Sequence, residues 1–141
     1  MAVRPLVDRL VDSGQSFIKF LDDVGIRPRS ALWRRRPDSE DWELVLATST
    51  AGAKGPRAAY EEVLTVYRQH EAELEPLRAD DLVVVELDHP LIRLHLVIFN
   101  TGPGISRIES RGNAVNGQLL PDSLIYRLQP PEAALDQTSS C

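Results

Sequence analysis

Cysteine is nearly absent from this sequence of 141 residues, and its one thiol belongs to the final residue, Cys141. A single thiol cannot form an internal disulfide, and with only three scattered histidines it cannot complete a cysteine-based zinc site. Cys141 also lacks the three following residues that a prenylation signal requires. We therefore expect no disulfide framework and no metal site, and no motif indicates a cofactor.

Long apolar runs are also lacking. No run approaches the roughly 18 residues that cross a bilayer, so we expect no membrane association. Near the N-terminus, the charges of Arg4, Asp8 and Arg9 come too early for the apolar centre of a secretory signal. Both observations lead us to expect a cytoplasmic protein.

Lysine is scarce, because the chain has two lysines and 14 arginines. This bias is typical of a GC-rich coding sequence and indicates a bacterial source, although arginine also suits bidentate recognition of anions. Hydrophobic residues make up 43% and charged residues 26% of the chain, which is close to the globular average. Length and composition predict one domain over residues 1–128, followed by a flexible polar tail over residues 129–141.

The first half of the chain predicts a helix and a hairpin. Apolar residues at three- and four-residue steps predict an amphipathic helix over residues 4–24, with Gly14 as a point where it bends. Alternating patterns predict strands over residues 30–36 and 42–48, and the five polar residues between them suit a hairpin loop. We expect Trp33 and Trp42 to be cross-strand aromatic residues of the core.

The second half predicts a helix over residues 56–74 and a central strand over residues 82–87, whose β-branched run suggests burial on both faces. Residues 91–99 alternate like a strand but follow Asp88, His89 and Pro90, which suit a helix start, and we favour a short buried helix. Strands over residues 105–115 and 118–128 flank the turn Asn116-Gly117, with a break at Pro121-Asp122.

These elements predict an α+β fold. We expect a single domain with a mainly antiparallel sheet of about five strands, including two hairpins, and three helices packed on one face of it.

Four short stretches carry a resemblance to known sequences. They are residues 41–48 (DWELVLAT), 55–57 (GPR), 101–105 (TGPGI), and 116–117 (NG) with 125–128 (IYRL). They resemble segments of small bacterial proteins of unknown function, over most of residues 30–128. The resemblance implies a bacterial, cytosolic, single-domain protein and carries no activity or site residue.

One candidate site is the glycine-containing loop before the second helix, over residues 50–57. Gly52, Lys54, Gly55 and Arg57 lie there, and amides at a helix N-terminus beside cationic side chains can bind a phosphate or carboxylate. The spacing does not match a Walker loop, and Pro56 removes one donor. The alternative is an ordinary connection with a normal helix start.

A second candidate site is the arginine-rich strand. Residues 27–36 contain five arginines and no acid, and Arg34, Arg35 and Arg36 are consecutive. Residues 71–141 hold 11 acidic and 5 basic groups, so a protein partner or a second copy of the chain fits this positive strand. The alternative is a structural role, with these arginines paired to Glu40 and Glu43. Nucleic acid is disfavoured because the net charge is −5.

Catalytic motifs are lacking. The sequence contains no nucleophile elbow, no His-Glu-x-x-His and no metal-spaced carboxylates, and the glycines of residues 101–106 suit a helix stop. His70 is expected to be partly buried, His89 to lie in a cap, and the role of His95 depends on the fold of residues 91–99. The leading interpretation is a non-catalytic interaction or regulatory domain that binds a protein partner through Arg34–Arg36. The alternative is a binder, or an enzyme, that takes a small phosphorylated or carboxylated molecule at the 50–57 loop.

Overall fold

The structure is a computed structural model that describes residues 6–36, 38–39 and 41–131. Its five helices are α1 (Asp8–Asp23), α2 (Ser49–Lys54), α3 (Pro56–Gln69), α4 (Glu71–Leu74) and α5 (Pro90–Leu96), with a 3₁₀ turn at Ala79–Asp81. Its strands are β1 (Ser30–Arg35), β2 (Trp42–Ala47), β3 (Leu82–Val85), β4 (Ile108–Ser110), β5 (Ala114–Val115), β6 (Gln118–Leu119) and β7 (Ser123–Leu128).

Five strands form the main sheet in the order β3-β2-β1-β7-β4. All neighbours are antiparallel except β2 and β3, which are parallel. The sheet is therefore mainly antiparallel, and the predicted single-domain α+β fold is confirmed.

The prediction that residues 82–87 form a central strand is wrong, because β3 lies at one edge of the sheet. Its partner β2 already pairs with β1 on the other side, and the chain returns through α2, α3 and α4 as a parallel crossover requires. Val83, Val84 and Val85 are accordingly half-buried rather than enclosed.

The predicted hairpin of β1 and β2 is confirmed, with Ser30 opposite Ala47 and Arg35 opposite Trp42. The two tryptophans do not pair as expected. Trp33 lies opposite Leu44 and is fully buried, whereas Trp42 begins β2 and remains partly exposed.

The second predicted hairpin is much shorter than expected. Asn116 and Gly117 both have positive φ, of 52° and 79°, as a tight two-residue turn of this kind requires. They join only β5 and β6, which form a separate two-stranded ribbon. The continuous arms predicted over residues 105–115 and 118–128 are wrong, while the break at Pro121-Asp122 is confirmed by the start of β7 at Ser123.

Helices cover both faces of the sheet, so their expected placement on one face is wrong. Side chains of α1 and α3 form one buried cluster with Trp33 and Leu44. The predicted short helix is confirmed as α5, and its Ile92 packs in a second cluster with Leu32 and Val45. Since neighbouring residues of a strand point to opposite faces, Leu32 and Trp33 place these clusters on opposite sides.

The α1 helix is continuous over Asp8–Asp23, through the predicted bend position Gly14; residues 4 and 5 lie outside the described residues. Gly14 lies against the sheet, where the hydroxyl of Tyr126 accepts from Trp33 Nε1 (2.9 Å) and donates to the Val11 carbonyl (2.6 Å). A Cβ atom at position 14 would stand 2.6 Å from that hydroxyl. This glycine therefore permits close contact between α1 and β7.

The first two residues of the predicted tail contact β1 and the residue before it. The amide of Gln129 donates to Ser30 Oγ (3.4 Å), and Arg29 Nε donates to the Pro130 carbonyl (2.8 Å). Residues 132–141 of the predicted tail lie outside the described residues. None of the helices in the described part of the chain has the length and apolar character that a bilayer crossing needs.

Candidate functional site: the hairpin end

Three cavities open around one end of the β1–β2 hairpin. We call this region, residues 34–36 and 41–43, the hairpin end. The α1 cavity (about 280 Å³) is lined by Leu6, Asp8, Val11, Trp42, Glu109, Arg111, Ser123 and Leu124. The aspartate cavity (about 160 Å³) is lined by Arg36, Asp41, Trp42, Arg78, Asp80 and Asp81. The arginine groove (about 290 Å³) is lined by Arg35, Arg36, Ser39, Leu119, Leu120, Pro121 and Asp122.

The cavities are contiguous through two side chains. Trp42 borders both the α1 cavity and the aspartate cavity, and Arg36 borders both the aspartate cavity and the arginine groove. Both residues lie where the two strands leave the sheet, because Trp42 forms the last cross-strand pair with Arg35 and Arg36 follows that pair. The hairpin end therefore combines concave surface with an aromatic ring and guanidinium groups.

The structure brings the three predicted arginines together with two carboxylates. Arg34 donates through Nε (2.7 Å) and Nη2 to one oxygen of the buried Glu43, whose other oxygen lies 3.3 Å from Arg36 Nε. Arg35 Nη1 lies 3.8 Å from the Asp122 carboxylate. The structural role expected for Glu43 is thus present, but the side chains of Arg35 and Arg36 remain 41% and 37% exposed.

A polar row runs across the sheet from this cluster. Glu43 lies opposite Arg34, Arg34 opposite Ser123, and Ser123 opposite Ser110, so the row crosses β2, β1, β7 and β4. The parallel row two residues inward is apolar, and it consists of Val45, Leu32, Ile125 and Ile108. The apolar core on this face therefore ends at this polar row.

His95 of α5 contacts the polar row from above. Its Nδ1 lies 2.9 Å from the Leu91 carbonyl, which can only accept, so Nδ1 carries the proton. Nε2 lies 3.0 Å from Ser123 Oγ, and the Ser123 hydroxyl also lies 2.9 Å from the Pro121 carbonyl, so its one proton is shared between these two acceptors. Burial lowers the pKa of His95 below its usual 6.5, the Arg34 charge lowers it further, and the Leu91 hydrogen bond partly opposes both.

A serine hydroxyl within hydrogen-bond distance of an imidazole is also found in activated nucleophiles. Here the two side chains are buried, with His95 0% and Ser123 3% exposed, and Nδ1 faces a backbone carbonyl rather than a carboxylate. The pair therefore joins α5 to the start of β7 and presents no reactive atom to solvent.

The candidate anion site was predicted to lie in a loop, and this prediction is wrong because residues 49–54 form α2. Thr48 caps this helix by accepting from Ala51 N (3.3 Å), and the Gly55 amide donates to the Ala51 carbonyl (3.1 Å). The Gly55 amide is therefore already hydrogen-bonded, and Pro56 at the first position of α3 has no N–H to offer. Gly52, Lys54 and Arg57 are exposed at this junction, and none of them lines the three cavities at the hairpin end.

The remaining sequence candidates have structural roles. The hydroxyl of Thr101 accepts from the Leu128 amide (2.9 Å), which fixes residues 101–106 beside β7. His70 separates α3 from α4, so the predicted helix over residues 56–74 is interrupted there. Its ring stacks on Phe20 at 3.7 Å and its Nδ1 lies 2.8 Å from Glu73. His89 caps α5, as expected, by accepting from the Leu91 amide. Across residues 6–36, 38–39 and 41–131, no three His, Cys, Asp or Glu side chains are placed to share a metal ion.

Sequence analysis leaves three residues of these cavities out of its candidate sites. It assigns Trp42 to the core, Leu119 to the strand over residues 118–128 and Asp122 to the break in that strand. The predicted break at Pro121-Asp122 is the signal for the last two, because the chain turns there and brings them beside Arg35.

Comparison with known protein families found no family model that matches this chain, and comparisons with curated proteins and with solved structures found no significant match. We therefore infer function from the geometry and chemistry of the site itself.

Proposed function

We propose that this protein is a non-catalytic, cytosolic interaction or regulatory domain of bacterial origin that binds a protein partner at the hairpin end. The observation that carries the proposal is the convergence of three cavities on Trp42 and Arg36. Tryptophan and arginine supply a large share of the binding energy at protein interfaces, and they do so when packed into concave surface.

Exposure of the neighbouring side chains supports the same surface. Leu119 is 73% exposed although it is a large apolar residue, and it lines the arginine groove beside Arg35 and Arg36. Apolar contact flanked by charged groups is the usual anatomy of an interface, with a dry centre and a polar rim.

The competing function is a small anionic ligand bound beside Gly52 and Gly55, between Lys54 and Arg57. These two cationic side chains are exposed, but the helical junction leaves fewer amides for an anion than an open loop would. Inorganic phosphate is the probe for this alternative, read by a thermal shift that disappears in Lys54→Ala.

The proposal is tested by panning a displayed library of random peptides on the full chain and measuring affinities of the selected peptides for four variants. Arg35→Glu and Leu119→Ser alter the arginine groove at exposed positions, and Lys54→Glu and Arg57→Glu are matched controls at the α2–α3 junction. We expect about tenfold or greater weakening by the first pair only, as loss of an interface anchor gives. Weakening by the control pair alone, or by neither pair, would overturn the proposal.

A second copy of the chain is one candidate partner, and the same variants test it. Sedimentation of the wild-type chain over a concentration series would show self-association that Arg35→Glu weakens. Such a result identifies the partner as another copy, whereas a monomer at all concentrations leaves a different protein as the partner.

A further inference from the structure

We infer that the segment bound at the hairpin end presents a carboxylate beside an apolar side chain, and that both enter the arginine groove. This inference rests on the proposed function and names the chemistry of its partner. It is carried by the charges that line the groove, by their contrast with the neighbouring cavity, and by the exposed Leu119.

The first step is the charge of the groove. Of the described residues that line it, Arg35 and Arg36 carry guanidinium groups and Asp122 carries a carboxylate. The buried Glu43 accepts from Arg34 and lies 3.3 Å from Arg36 Nε. The side chains of Arg35 and Arg36 are 41% and 37% exposed, so both can donate charge-assisted hydrogen bonds to an incoming carboxylate.

The second step is the contrast across Arg36. On its other side, the aspartate cavity places Asp41, Asp80 and Asp81 around Arg36 and Arg78, so that cavity has an excess of negative charge. A carboxylate is repelled there and attracted in the groove, because it would lie within a few ångströms of these charges, well inside the distance over which salt screens them. The difference in charge between the two cavities therefore favours the groove as the binding position of the carboxylate, and it sets the direction in which a bound segment lies.

The third step is the apolar wall. Leu119 is 73% exposed, Leu120 beneath it is 2% exposed, and Pro121 completes the wall opposite the arginines. The Leu120 amide donates to the Asn113 carbonyl (2.8 Å), which holds the ribbon in place. An apolar side chain next to the carboxylate would cover Leu119 and exclude water from the ion pair.

The experiment uses the peptides selected on the full chain. In each peptide, every Asp and Glu is replaced by Asn and Gln in one derivative, and the large apolar residues by serine in another. We expect each change to weaken binding about ten- to hundredfold, since a charge-assisted hydrogen bond or a buried apolar side chain is lost. Raising the salt concentration should weaken the parent peptide and leave the Asn/Gln derivative nearly unchanged.

A charge exchange supplies the second arm. Arg36→Glu should lose the acidic peptide and gain affinity for a derivative carrying lysine in place of its acid, whereas Arg57→Gln should change neither. If Arg36→Glu unfolds, as its melting curve would show, Arg36→Gln replaces it and should lose the acidic peptide without gaining the lysine derivative.

The two proposals fail differently. Peptides that need Arg35 and Leu119 yet tolerate loss of their acids would overturn the acidic-segment inference and leave the hairpin end as the binding surface. Peptides that ignore Arg35 and Leu119 would overturn the binding surface, and the inference would fail with it.

Discussion

Arg127 of β7 and Asp22 of α1 form a bidentate ion pair. Arg127 Nη1 and Nη2 donate to the two Asp22 carboxylate oxygens at 3.2 and 2.8 Å, and the Arg127 side chain is 1% exposed. Nη1 also donates to the Pro28 carbonyl (2.8 Å). Since Tyr126 contacts α1 as well, two successive residues of β7 face the same helix, and a register shift against β1 accommodates them.

Removing the carboxylate should be strongly destabilising. Asp22→Ala leaves the buried Arg127 cation with only carbonyl partners, and we expect it to lower the free energy of unfolding by about 3 kcal/mol. The control is Asp12→Ala, which removes the exposed pair of Asp12 with Arg107 (2.7 Å) and should lower it by less than about 1 kcal/mol. Urea denaturation of both variants measures the difference. Equal losses would show that Arg127 does not depend on Asp22.

Gly14→Ala should destabilise the protein although alanine favours helix. The new Cβ would stand 2.6 Å from the Tyr126 hydroxyl and 2.9 Å from Trp33 Nε1, so the hydrogen bonds between them must distort. Overpacking of this kind outweighs the propensity gain, and we expect a net loss of about 1–3 kcal/mol in the free energy of unfolding.

Gly52→Ala is the matched control for that substitution. Gly52 lies in α2 with no atom within 4 Å of a new Cβ, so alanine should raise the free energy of unfolding by about 0.5–1 kcal/mol. Thermal denaturation of the two variants should therefore show shifts of opposite sign. Stabilisation by Gly14→Ala would contradict the close packing of α1 on Trp33 and Tyr126.

Gly14 illustrates what sequence periodicity can and cannot predict. The amphipathic pattern located α1, the alternating pattern located the β1–β2 hairpin, and the helix-start residues Asp88, His89 and Pro90 located α5, because each signal depends on neighbouring residues. Gly14 looked like a weak point, since the reason for it is a tyrosine more than 100 residues away. The edge position of β3 was missed for the same reason: a run of valines does not reveal which strands lie beside it.

His95 should make stability depend on pH. Burial lowers the pKa of His95 in the folded state below 6.5, so as pH falls the unfolded chain takes up this proton first. The stability that neutral His95 contributes to the folded state is fully present above about pH 6.5. It is lost as pH falls through that value toward the lower pKa of the folded state. Urea midpoints measured between pH 8 and pH 5 should decline on the acidic side.

The pH dependence is assigned to His95 by substitution. His95→Gln retains an amide that can reach Ser123 but has no group that titrates in this range, so part of the decline should disappear. His70→Gln, at the surface against Phe20, is the control and should retain the His95 contribution. An unchanged decline in His95→Gln would contradict the role given to burial.

Glu43 should link the stability of the hairpin end to its affinity for acidic segments. Glu43→Gln removes the carboxylate shared by Arg34 and Arg36, and we expect a loss of about 1–3 kcal/mol in the free energy of unfolding because a buried charged hydrogen bond is lost. The extra positive charge should tighten binding of an acidic peptide in isothermal titration. Weaker binding by a folded Glu43→Gln variant would contradict the electrostatic basis of the groove.

The hairpin end was only partly predictable. Three consecutive arginines in an acid-free stretch identified the positive strand, because local sequence alone reveals such a cluster of charge. The groove also needs Leu119 and Asp122, which reach Arg35 only because the chain turns at Asn116 and again after Leu119. Strand register and chain reversals bring the residues of such a site together, and neither can be predicted from a single segment of the sequence.

The most direct measurement is an amide chemical-shift map of the full chain, recorded while an acidic selected peptide is titrated into it. Binding at the hairpin end predicts that the largest changes fall on Arg35, Leu119 and Asp122, and that they vanish in Arg35→Glu. Changes centred on Lys54 and Arg57 instead, with the arginine groove unaffected, would contradict it.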